Sequence, residues 1–138
     1  MALLARRDWA TQELQARLQA QGYPCRVAMA VINALTEEGL LDDGRYAARQ
    51  VLSRAERGQG PLRIEECLRA LGLPETLIET ALASGPDWAA LAADVRRRRF
   101  GEPPRTPVEL GRQVRFLQYR GFSSDHIRSA TGAELDPD

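Results

Sequence analysis

The sequence predicts an all-α fold built from tandem helical repeats, on three observations. Apolar residues recur at i, i+3, i+4 and i+7, the spacing of one helical face, as in Ile64, Cys67, Leu68 and Leu71. Glycine and proline punctuate these segments at helix-length intervals. One signature also occurs three times, as Leu18-x-x-x-Gly22-Tyr23-Pro24, Leu68-x-x-x-Gly72-Leu73-Pro74 and Leu117-x-x-x-Gly121-Phe122-Ser123, at steps of 50 and 49 residues. Each unit holds amphipathic helices that cannot hide an apolar face alone, so neighbours are expected to stack. The expectation is three three-helix repeats, the last truncated, in an elongated, curved row: residues 1–60, 61–101 and 102–138, the third with a short acidic tail. The bland alternative, a coincidence among hairpins that end in glycine, accounts less well for the nearly equal steps.

The elements follow from this punctuation. Leu3 to Arg7 reads as a short helical segment. A helix from about Thr11 to Gln21 carries Leu14 and Leu18 and stops at Gly22. Pro24 starts a second, in which Val27, Ala28, Val31, Ile32 and Leu35 cover so much of the circumference that it is expected to be largely buried. A third spans about Asp42 to Arg57, with aspartates at its positive end and Arg54 and Arg57 at its negative end. Gly58-Gln59-Gly60-Pro61 closes it and opens a fourth, and Pro74 starts a fifth with Leu77, Ile78, Ala81 and Leu82. Gly85-Pro86-Asp87 begins a sixth, with Trp88, Leu91, Ala92 and Val95 on one face. The segment from Glu102 to Arg105 is the clearest linker. Thr106-Pro107-Val108-Glu109 matches a capping box, Leu110, Val114 and Leu117 mark the buried side of the seventh helix, and Ser123 caps an eighth reaching about Thr131. The end, from Gly132, is acidic and expected to fray.

Composition narrows the function. At 138 residues the chain can bury a real core, and its zero formal net charge does not demand a polyanionic partner. All 19 basic residues are arginine, a bias that genome composition explains more readily than a need for the guanidinium fork. Cys25 and Cys67 are far apart, with no CxxC and no histidine cluster, so neither metal nor disulfide framework is expected and reduced thiols are. No apolar run is long enough to span a bilayer, and Met1 to Ala5 is too short for a signal core, which leaves the cytoplasm as the expected location. His126, the only histidine, sits in a polar cap region and reads as a surface residue, while Gly58-Gln59-Gly60 lacks the further glycine and lysine of a phosphate loop. No catalytic residue, cofactor or metal is expected.

The chemistry that remains is carried by arginine. Arg112, Arg115 and Tyr119 lie at i, i+3 and i+7, opposite the Leu110, Val114 and Leu117 side, and Arg120 follows. Cations beside an aromatic ring suit phosphate with base stacking or an acidic protein surface. From Asp94 to Arg120 there are eight arginines and three acids, so charge is concentrated locally in a neutral protein. The run Arg96, Arg97, Arg98 and Arg99 spreads around its helix: Arg97 points away from the Trp88 face, Arg96 and Arg98 flank it, and Arg99 falls almost on it. The same run reads equally as a solvated face that offsets the helix dipole. Arg45 and Arg49, with Leu52 and Glu56, form a second outward face, opposite Tyr46, Ala47, Gln50 and Val51. Arg54 falls on the inner side, where its stem is expected to pack and its head to reach an acid such as Asp42, Asp43 or Glu38.

One stretch reads Gly39-Leu40-Leu41-Asp42-Asp43, Arg45-Tyr46-Ala47, Ser53-Arg54 and Arg57-Gly58-Gln59-Gly60-Pro61. Leu3-Leu4-Ala5-Arg6-Arg7-Asp8 precedes it, and Arg97-Arg98-Arg99-Phe100-Gly101 and Arg115-Phe116-Leu117-Gln118-Tyr119-Arg120-Gly121-Phe122 follow. In these motifs, in one order over most of the chain, the sequence resembles the RecX family, regulators of the RecA recombinase. Gln50 stands where relatives tend to carry an aromatic, and Leu52 where they tend to carry arginine. The resemblance implies three tandem three-helix repeats without enzymatic activity. It implies binding to the RecA–DNA filament, with restraint of filament growth, strand exchange and ATP hydrolysis in the setting of DNA repair and the SOS response. Some relatives also touch DNA directly. The partners expected are therefore the RecA filament and single- or double-stranded DNA, with no membrane and the protein acting as a monomer. The partner-binding candidates are Arg45, Arg49, Arg96, Arg97, Arg98, Arg112, Arg115, Tyr119 and Arg120. A DNA-binding module that places the same arginines on phosphates is the alternative, and a helical scaffold for another protein is a third.

Overall fold

The computed structural model describes residues 9–132, and among them every regular element is an α-helix. In order these are α1 (Thr11–Ala20), α2 (Cys25–Glu37), α3 (Asp43–Glu56), α4 (Pro61–Ala70), α5 (Glu75–Ala83), α6 (Trp88–Phe100), α7 (Pro107–Arg120) and α8 (Ser124–Thr131). The boundaries follow the sequence punctuation to within a residue or two. The segment expected at residues 3–7 and the acidic tail beyond Gly132 lie outside the described residues.

The thrice-repeated signature is a helix stop of one kind. At each copy the residue after the glycine donates its N–H to the leucine carbonyl: Tyr23 to Leu18 at 3.1 Å, Leu73 to Leu68 at 3.3 Å and Phe122 to Leu117 at 3.1 Å. The glycine N–H closes the inner ring on the carbonyl of Gln19, Arg69 or Gln118, which completes a Schellman motif. The same pair of bonds ends α2 at Gly39 and α3 at Gly58. The glycine is thus demanded by the stop, and the near-equal steps reflect helices of similar length in the same order.

The chain forms two compact units, Met1–Gln50 with Cys67–Ser84 and Val51–Glu66 with Gly85–Asp138, so α3 and α4 each contribute to both. In the first unit Trp9, Leu14, Leu18, Ala28, Ile32, Leu35 and Leu41 form one buried cluster where α1 meets α2. Fully burying a leucine or isoleucine here contributes about 1.5–3 kcal/mol, far more than the helix propensities of these short segments. Asp43, in the first turn of α3, accepts hydrogen bonds from the Thr11 N–H at 2.8 Å and the Thr11 hydroxyl at 3.0 Å. It therefore caps α1, whose own N-cap position is an alanine with no side chain to offer. Asp42 serves α3 itself by accepting from the Arg45 N–H at 3.0 Å.

The expectation that α2 is largely buried is corrected. Ala28, Ile32 and Leu35 form its only buried stripe, whereas Val27 is 37% and Met29 44% exposed. A broad apolar arc shows that a helix can be buried, but only neighbouring elements bury it, and here α1 covers one side.

In the second unit Ala92, Val95, Leu117, Phe122 and Ile127 form the buried cluster, edged by Leu91, Val114, Phe116 and Ala130. α8 lies chiefly against α6 and also touches α7. Asp87 caps α6 by accepting from Ala90, and Ser123 caps α8 by accepting from His126. The turn before α4 locks onto the end of α7: the Gly60 N–H donates to the Arg120 carbonyl at 2.8 Å, and the Leu62 N–H to that of Gly121 at 2.9 Å.

Candidate partner-binding face

α7 presents the face that the sequence singled out. Its N-cap Thr106 accepts from the Glu109 N–H at 3.1 Å and Pro107 takes the first helical position. Glu109 turns back to the Arg105 N–H at 2.7 Å, one residue earlier than the reciprocal bond of a capping box. Leu117 is fully buried, Val114 and Leu110 are half-buried, and Gln113 is buried beside them. On the opposite side Arg112, Arg115 and Tyr119 are all exposed, Tyr119 to 74%. Neither Arg112 nor Arg115 has an ion-pair partner among the described residues.

Arg63 of α4 joins this face. Its guanidinium carbon lies 5.3 Å from the centre of the Tyr119 ring, and Nη1 donates to the Tyr119 carbonyl at 3.3 Å. Its position depends on the long-range contact between Gly60 and the end of α7, for which no local sequence signal exists.

The arginine run is divided by its surroundings. Arg96, expected to flank the buried face and counted among the partner-binding residues, is only 8% exposed. Its Nη1 donates to the Glu102 carbonyl at 3.0 Å, and Gln113 Nε2 donates to the same oxygen at 3.3 Å. Arg96 is thus a brace within the fold rather than an open contact, and the segment after α6, expected as a linker, is fastened at its second residue. Arg97 and Arg98 are exposed and share Asp94, at 2.6 and 2.9 Å. Such exposed pairs contribute little to stability, so both remain available to a partner.

Arg99, expected almost on the buried face, is exposed. Its guanidinium lies 5.5 Å from the Phe100 ring centre and 5.8 Å from that of Phe116, two rings packed edge to face at 5.4 Å. Arg120 approaches the Phe116 ring to 5.2 Å and donates Nη1 to the Arg57 carbonyl at 3.1 Å, so it is half fastened.

In the first unit Arg45 and Arg49 are exposed on the outer side of α3 with Leu52, while Tyr46, Ala47 and Val51 are buried, as the helical wheel predicts. Arg45 also donates to the carbonyls of Gly39 at 3.2 Å and Leu40 at 3.3 Å, which ties down the connection before its own helix. Arg54 is half-buried, in keeping with a packed stem. Among the described residues no cluster of histidine, cysteine and acidic side chains could hold a metal ion, and no helix is long and apolar enough to cross a membrane.

Two family models match the chain. That of the second three-helix domain of RecX covers residues 42–82, and that of the third three-helix domain covers residues 87–131. They cover α3 with α4 and α5, and α6 with α7 and α8. The chain is 44% identical to the regulatory protein RecX of Halorhodospira halophila, over all of this chain and 87% of that one. It is 42% identical to that of Pseudomonas fluorescens, over 99% of this chain and 90% of the other. The crystal structure of a regulatory protein RecX shares the fold with a TM-score of 0.78 at 24% identity, over 96% of this chain and 68% of that one. The signature around α3, the helix order and full-length relatives agree: the chain belongs to the RecX family of regulatory proteins.

Proposed function

We propose that the protein is a non-catalytic cytoplasmic regulator that binds the RecA–DNA filament as a monomer and restrains filament growth, strand exchange and RecA ATP hydrolysis. On the second unit its contact residues are Arg112, Arg115 and Tyr119, with Arg97, Arg98 and Arg120; Arg45 and Arg49 are separate contact residues on the first unit. The observation that carries this assignment is the pair of exposed arginines on α7, without acidic partners among the described residues and one turn from an exposed tyrosine. Guanidinium groups left unneutralised beside a ring form the kind of surface that docks on acidic groups of a partner. The test is inhibition of RecA strand exchange by a variant with Arg112→Ala, Arg115→Ala and Tyr119→Ala. Loss of inhibition with an unchanged unfolding transition is expected; undiminished inhibition rejects the face.

The same arginines, without acidic partners among the described residues, favour a second reading, a module that grips DNA phosphates. Counterion release then makes affinity for bare DNA fall steeply with salt. Titration against bare DNA and against the RecA filament at two salt concentrations separates the readings, because only the first requires a preference for the filament.

A further inference from the structure

A cleft of about 270 Å³ opens in the second unit between α6, α7 and the end of α3. Val95, Gly58 and Phe116 give it an apolar side, and four arginines, Arg57, Arg98, Arg99 and Arg120, line it against one acid, Glu56. Asp94 already neutralises part of Arg98. Arg57 and Arg99 are exposed and have no ion-pair partner among the described residues. Phe116 draws two of these cations together, since Arg99 and Arg120 both lie within 6 Å of its ring centre. Like charges held around one ring repel each other, and a bound anion removes that cost.

We propose that this cleft is a socket for an aspartate or glutamate side chain of a protein partner. Two properties select a carboxylate on an aliphatic stem. The apolar side accepts methylene groups while the guanidinium groups take the two oxygens in a forked, charge-assisted pair. The Phe116 ring packs edge to face with Phe100 and carries guanidinium groups, so it is no platform for a nucleic-acid base. Glu56 repels each added negative charge, so it weighs against a chain of successive phosphates more than against a single carboxylate. The socket shares Arg98 and Arg120 with the proposed contact residues but includes none of Arg112, Arg115 and Tyr119, and its chemistry does not depend on which protein carries the acid.

The test follows arginine Nε–H NMR signals of the full chain during titration with an acetylated, amidated hexaglutamate peptide and, separately, with oligothymidylate of equal charge at the same salt. Saturable shifts of Arg57, Arg99 and Arg120 with the peptide are expected, with Arg112 and Arg115 responding less. Arg99→Ala is expected to weaken peptide binding about tenfold, and Arg99→Lys to recover only part of it, because a lysine keeps the charge but loses the fork. Both changes are at an exposed position, and an unchanged unfolding transition shows that the loss is local. Equal or tighter binding of oligothymidylate overturns the proposal in favour of a phosphate site. Uniform shifts of all arginines, or none at millimolar peptide, overturn it outright.

Discussion

Gly60 and Gly121 meet backbone to backbone: a Cβ added to Gly60 would lie 2.5 Å from the carbonyl carbon of Gly121. The amide of Gly60 meanwhile donates to the Arg120 carbonyl at 2.8 Å, so the two segments cannot separate without losing that bond. Gly121 has φ of 97°, and its own Cβ would strike Arg63 Cβ at 2.4 Å. Neither contact offers a flexible side-chain end that could move aside. Gly60→Ala is expected to destabilise the protein by about 3 kcal/mol, the upper range for overpacking, read as a lower urea midpoint. Gly101→Ala is the converse case. Its φ of 75° is one that L side chains rarely adopt but its Cβ would meet open space, so only a backbone cost of about 1–3 kcal/mol is expected.

The carbonyl of Glu102 holds the segment after α6 in place, since Arg96 and Gln113 both donate to it. Gln113→Ala removes one donor and opens space beside Leu117. A loss of about 2 kcal/mol is expected, with faster amide hydrogen exchange from Glu102 to Arg105. Arg96→Met should cost a similar amount, about 2 kcal/mol, because the Glu102 carbonyl loses its charged donor in a part-buried bond. It should leave the salt dependence of partner binding almost unchanged, which distinguishes a brace from a contact.

The sequence announces what is local. Glycine stops, proline starts and capping residues set the eight described helices, because each satisfies backbone groups within a few residues of itself. The outward placement of Arg45, Arg49, Arg112, Arg115 and Tyr119 follows from the helical period alone. What the period cannot supply is the neighbour. Val27 and Arg99 are exposed and Arg96 buried because of what segments outside their own helices cover or leave open, and a wheel assigns each residue a direction without saying what lies there. Arg63 and the second half of the cleft likewise depend on contacts more than 50 residues apart in sequence, such as that between Arg63 and Tyr119. Gln113 was hidden for another reason: a polar residue at a core position looks like an error in the pattern until its backbone partner is known.

Glu75 gives a local reading of pH. The hydrogen bond from Arg69, at 2.6 Å, holds its carboxyl below the ordinary glutamate range; desolvation works against this and the Arg69 charge adds to it. A carboxyl whose pKa is lower folded than unfolded stabilises the fold above its unfolded value and loses that contribution as pH falls through the folded one. The side chain is exposed, so the effect belongs to the site more than to global stability. Carboxyl NMR is expected to show Glu75 titrating at lower pH in the native protein than in Arg69→Ala. An unchanged midpoint in that variant would remove Arg69 as the cause.

Charge on α7 can be separated from charge elsewhere by its salt response. If Arg112 and Arg115 each neutralise one phosphate when bare duplex DNA is bound, replacing both with alanine should reduce the slope of log affinity against log salt by about 2. If they dock on a protein surface, the slope for bare DNA stays as it was and the affinity for the RecA filament falls. Folding should not interfere, because both side chains are exposed and without ion-pair partners among the described residues, so each change should alter stability by no more than about 0.5 kcal/mol. Tyr119→Ala adds a further distinction. A ring that stacks on a base should matter most for single-stranded DNA, whereas a ring that anchors a protein contact should speed dissociation from the filament and leave DNA binding unaltered.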